Sequence, residues 1–94
     1  MSVGVGVKED ITAWLVNWFV TNADMKESEA LAGVSDNYML KGWIDSFRFM
    51  SLISDIEEHF DIRFSNDEFH DRGFATIAGL SVIIGKKLGK RAGK

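Results

Sequence analysis

Ser46-Phe47-Arg48-Phe49-Met50-Ser51-Leu52-Ile53-Ser54-Asp55-Ile56-Glu57-Glu58-His59-Phe60 is the stretch on which the fold turns. At 100° per residue, Phe49, Leu52, Ile53, Ile56 and Phe60 fall within one arc, the spacing of a helix face turned to a core. Phe47, Met50, Ser51, Ser54 and Glu58 cluster on the opposite side, with Arg48 and Asp55 along one edge and Glu57 along the other. Apolar anchors inside a charged rim have the make-up of a docking surface. Periodicity alone leaves a second possibility equally open, that the long connection before this helix folds over Phe47 and Met50. Asp45 and Ser46 are both competent N-caps for this helix.

Working outward, residues 8–22 repeat Ile11, Trp14, Leu15, Trp18 and Phe19 on one face, and Glu9 and Asp10 sit where the first turn favours acids. Residues 76–88 carry Ile77, Leu80, Ile84 and Leu88 on one stripe, with Gly89 as the expected stop. A short third helix is expected within residues 66–71, after an extended stretch at 61–65. Between the first two long helices lies an unusually long connection, residues 23–45, with Gly33, Ser35, Asp36, Asn37 and Gly42 as turn formers. Its apolar residues Leu31, Val34, Tyr38, Leu40, Trp43 and Ile44 suggest that it packs back onto the helices, and residues 26–32 can form a short helix. The expected fold is an all-α, four-helix bundle with a long first loop and a short third helix.

Ninety-four residues make one domain, with a core over about 8–88 and a basic tail at 89–94 expected to fray. A hydrophobic content of 46% is ample for a folded core, which argues against disorder. There is no cysteine, so disulfides and thiolate metal sites are excluded. No run approaches the roughly 20 apolar residues of a membrane span. The first residues also lack the basic-then-apolar pattern of a signal peptide, so a cytoplasmic location is the expectation. The net charge of −3 is unevenly spread: residues 86–94 hold five of the 11 basic side chains and no acid, while all 14 acids lie before them. An acidic body repels nucleic acid and attracts basic protein partners.

Ser46 falls at a helix N-terminus, where free N–H groups and the helix dipole stabilise an anion on its hydroxyl. Read by physics alone, it is first of all a helix cap, the role most serines at such a position take. Gly42-Trp43-Ile44-Asp45-Ser46-Phe47, then Ile56-Glu57-Glu58-His59-Phe60-Asp61-Ile62, then Phe74-Ala75-Thr76-Ile77 and Leu80 resemble the acyl carrier protein family in order and spacing, over about residues 8–88. The resemblance implies that Ser46 carries a phosphopantetheine arm taken from coenzyme A. It implies that Asp45 helps engage the magnesium-dependent phosphopantetheinyl transferase, and that Phe47, Met50, Glu57 and Glu58 occupy partner-recognition positions; with Arg48, Ser51 and Ser54 they make up the expected docking face. Acyl or aminoacyl groups would then ride on the arm's thiol as thioesters, presented by a monomer to loading and biosynthetic enzymes. Fatty acid synthesis carriers typically have Gly-Ala-Asp-Ser-Leu and acids where Arg48 and Ser51 stand here. The Gly-x-Ile-Asp-Ser form is more similar to carriers of specialised pathways, including aminoacyl transfer and secondary metabolism.

Other classes fit less well. A serine hydrolase would need a base beside Ser46, yet His59 lies several turns along the same helix and no Gly-x-Ser-x-Gly elbow exists. His59, His70, Asp67, Glu68 and Asp71 lack the ligand ladder of a calcium loop, so no metal site is expected. The alternative from another class is a helical protein-interaction module without a prosthetic group. No expected helix has the basic face of a nucleic-acid reader.

Overall fold

A computed structural model describes the backbone of residues 7–93 and the side chains of residues 11–89. Among the described residues the chain is all-helical. In order it forms α1 (Val7–Asn22), α2 (Glu27–Ala32), α3 (Ser46–Phe60), α4 (Asn66–Phe69), a 3-10 turn (Arg72–Ala75) and α5 (Ile77–Gly93).

The periodic faces become the core. Ile11, Leu15, Val16, Trp18 and Phe19 of α1 meet Leu52, Ile53 and Ile56 of α3 and Ile77, Leu80 and Ile84 of α5. Phe49 and Phe60, from the same arc of α3, are half-buried against this cluster rather than enclosed in it. Two polar links cross the apolar layer. The Thr12 and Ser81 hydroxyls share a 2.7 Å hydrogen bond between α1 and α5. The Trp18 indole N–H donates to Asp55 at 2.8 Å between α1 and α3. Each gives a buried or half-buried polar atom a partner, as burial requires.

The long connection does pack back, through one residue above all. Tyr38 is fully buried, its ring 5.1 Å from that of Phe19. Its hydroxyl donates to the Phe74 carbonyl and its N–H to the Ala75 carbonyl at 3.1 Å, so the connection hangs on the 3-10 turn. Burial pushes the Tyr38 phenol well above its ordinary pKa, which keeps it a neutral donor. Ile44 is also buried, and Val34 and Trp43 half-buried. Leu31 and Leu40 depart from the expectation: both are exposed, Leu40 at 85%. The cause is local, because the Asn37 side chain accepts from the N–H groups of Met39 and Leu40, a turn that carries Leu40 outward.

The α5 helix also overruns its expected end. Gly89 has open space around it, so nothing there turns the chain, and Lys90, Arg91 and Ala92 all propagate helix well. The helix therefore runs to Gly93 and does not stop at Gly89. The side chains of Lys90–Gly93, the acids of the first α1 turn, and Lys94 lie outside the described residues.

Candidate functional site

The start of α3 is organised by Asp45. Its backbone is extended and its carboxylate accepts from the Arg48 N–H at 2.9 Å, which makes Asp45 the N-cap. Ser46 is consequently the first residue of the helix proper. Its side chain is exposed and has no part in the cap. The chain enters this corner through Gly42, whose φ of 77° lies in the left-handed region where a side chain is disfavoured.

Arg48 leans away from solvent-facing α3 toward the end of α1, where its guanidinium donates to the Asn22 carbonyl. A cation on the last carbonyls of a helix suits the dipole there. The arrangement opens a groove of about 600 Å³, lined among others by Asn22, Asp24, Met39, Trp43, Ser46 and Arg48. Sequence spacing brought Asp45, Ser46 and Arg48 together; Asn22, Asp24 and Met39 come from elsewhere in the chain and carry no local signal of a site.

The outward face of α3 stays open. Phe47 is 79% and Met50 62% exposed, and Ser51, Ser54 and Glu58 are exposed around them. No segment among the described residues, the long connection included, folds over this face. Glu57 differs from its neighbours: it is half-buried, and its carboxylate accepts from the Phe64 N–H at 3.0 Å. Left-handed Asp61 closes the same end, with its own N–H and that of Ile62 on the Glu57 carbonyl. Glu57 thus holds the connection after α3, whatever else it contacts.

A larger groove of about 840 Å³ lies at this far end, between Ser54, Glu57, Glu58 and Asp61 on one side and Arg63 and Lys87 on the other. Arg63 and Lys87 had no signal in the sequence reading. Lys87 is engaged by Glu68 at 2.9 Å and lies 5.7 Å from the centre of the Phe64 ring. His59 stacks on Trp14 at 4.9 Å, at the opposite end of α3 from Ser46. Among the described residues, no group of three or more metal-ligating side chains converges. No described helix is long and apolar enough to cross a membrane.

No protein-family model, no curated protein and no solved structure matches the chain.

Proposed function

We propose that the protein is a carrier whose Ser46 bears a phosphopantetheine arm, of the acyl carrier type that the sequence resembles. In this reading the fold is a four-helix bundle: α1, α3 and α5 are its long members, α4 with the 3-10 turn is the short third, and α2 belongs to the long first loop. The observation that carries it is the division of labour at the α3 start. Asp45 takes the cap, so Ser46 keeps an exposed hydroxyl beside the open face of Phe47 and Met50.

The residues present fit the arm. With the Arg48 and Phe49 N–H groups taken by Asp45, those of Ser46 and Phe47 lie ahead of any intrahelical acceptor and favour an anion on Ser46. In loading, Ser46 Oγ forms a bond to the phosphorus of coenzyme A that bears the pantetheine half. The pyrophosphate bridge breaks, the adenosine bisphosphate half leaves, and the hydroxyl proton passes to a base of the transferase. The arm supplies a terminal thiol for thioester chemistry, which this cysteine-free chain lacks. Asp45 contributes by fixing the helix start and engaging the magnesium-bearing transferase. Phe47, Met50, Ser51, Ser54 and Glu58, with Arg48 and Glu57 at the edges, form the docking face. The protein itself performs no catalysis; it works as a cytoplasmic monomer visiting loading and downstream biosynthetic enzymes of a specialised pathway.

Intact-mass spectrometry after incubation with coenzyme A, magnesium and a broad-specificity phosphopantetheinyl transferase tests this. The native chain is expected to gain the mass of one arm, and Ser46→Ala none while keeping its helical spectrum. No gain across several transferases overturns the proposal and leaves a helical interaction module, for which Ser46→Ala binds its partner as the native chain does.

A further inference from the structure

Arg48 stands out among the residues around Ser46. Among the described residues it is the one cation lining the 600 Å³ groove, and it reaches from the first turn of α3 to the Asn22 carbonyl at the end of α1. A guanidinium has five N–H donors in a rigid fork, and the carbonyl satisfies only part of that capacity. Asp24 and Asp45 share the groove, yet neither forms an ion pair with Arg48 among the described residues; the Asp45 carboxylate is turned to the helix cap. A positively charged fork thus lines the same groove as Ser46, with no ion-pair partner among the described residues. The rest of the lining is mixed, Met39 and Trp43 offering apolar faces and Asn22 and Asp24 polar ones.

We propose that Arg48 is a binding residue for the arm: its guanidinium meets the phosphodiester on Ser46 and turns the arm into the groove over Met39 and Trp43, rather than out along α3. This rests on the carrier reading of Ser46. The phosphodiester is a permanent anion of the kind a guanidinium binds through charge-assisted hydrogen bonds. Beyond it the arm alternates apolar and amide segments, which the mixed lining of the groove suits. Asp24, two residues beyond the Asn22 carbonyl that Arg48 holds, also lines the groove and disfavours the phosphate next to its own carboxylate. The arm in its resting position is then folded against the loop of residues 39–43 and leaves the exposed Phe47–Met50 face clear for partners.

The test compares apo and loaded protein by assigned amide NMR, with intact mass reporting loading in each sample. In the native chain the arm is expected to shift the amides of Ala23, Asp24, Gly42 and Trp43 as well as those next to Ser46. In loaded Arg48→Gln the groove shifts are expected to vanish while those at Phe47 persist. Arg48→Lys keeps the charge and is expected to retain the groove shifts at low salt and lose them at high salt, where a single exposed charge is screened. That salt comparison also carries the test should Arg48→Gln fail to fold. Loaded native protein with shifts confined to the neighbours of Ser46, or unchanged groove shifts in loaded Arg48→Gln, overturns the role of Arg48 and leaves the carrier reading standing. Absence of any added mass overturns both.

Discussion

Phe47 and Leu52 lie on the same helix and have opposite surroundings. Phe47 projects into solvent and Leu52 is sealed in the core. Truncating a core leucine removes transfer energy and leaves a cavity, about 2–5 kcal/mol for Leu52→Ala. Truncating an exposed side chain away from such features changes stability by about 0.5 kcal/mol or less. Phe47→Ala is therefore expected to melt with the native protein while its loading by a transferase, or capture by a partner enzyme, slows. Urea denaturation alongside a loading time course separates the two. A destabilisation of Phe47→Ala comparable to Leu52→Ala would show that Phe47 is core, and the docking face would lose its main anchor.

At the scale of elements, α3 was legible because its signals are local, an Asp-Ser start and a five-residue apolar arc; the left-handed end at Asp61 is what the structure adds. What local signals left open was settled by neighbours. Asp45 or Ser46 as cap is a choice that spacing does not make, and the exposure of Phe47 and Met50 depends on where the long connection goes. The 3-10 turn had no signature at all, since a single tight turn held by a later helix is a tertiary product. Gly89 is a permissive residue and stops a helix only where something turns the chain. The short α4 illustrates how such a small element is kept. Ser65 and Glu68 form a capping box, and Lys87 of α5 clasps the same carboxylate. At Glu68 partial burial pushes the pKa up, but the hydrogen bonds from the Ser65 N–H and from Lys87, with the Lys87 charge, outweigh it and hold the carboxyl below its ordinary value. A depressed folded-state pKa means stability that is present above the unfolded value and lost as pH falls through the folded one. Glu68→Gln keeps the capping geometry and removes the charge. The native protein is expected to exceed it in melting temperature at neutral pH by the equivalent of roughly 1 kcal/mol or less, as for a largely solvated ion pair. That gap is expected to close as pH drops below the ordinary glutamate value of about 4.3. Parallel thermal melts across the acid range check it; a gap independent of pH would mean that Lys87 does not act through charge.

For the whole molecule, the question is what ties the helices and the long connection into one body, since the groove beside Ser46 is built from both. The 3-10 turn and α5 approach each other closely at Gly73 and Gly79. A Cβ placed on Gly79 would lie 2.2 Å from the Gly73 carbonyl oxygen and 2.4 Å from the Gly73 Cα, so the contact is backbone on backbone and has no side chain to yield. From that seam the chain of dependence runs outward. The turn presents the Phe74 and Ala75 carbonyls, Tyr38 hangs from both, and the Ala78 N–H binds the Val34 carbonyl at 2.8 Å. Trp43 in turn donates its N–H to the Tyr38 carbonyl at 3.0 Å, at the lip of the groove. Gly79→Ala must push the turn away from α5 and is expected to destabilise by about 1–3 kcal/mol, the usual scale of overpacking. Its effect should reach the amides of Tyr38 and Trp43, far along the chain from the substitution. Gly89→Ala, in the same helix with open space around it, is expected to do the reverse and stabilise by about 0.4–1 kcal/mol through the lowered entropy of the unfolded chain. Denaturant melts of the two variants should therefore move in opposite directions from the native midpoint. If Gly79→Ala melts at or above the native midpoint, the seam between the turn and α5 does not hold the long connection, and the groove beside Ser46 must owe its shape to Arg48 and the cap alone.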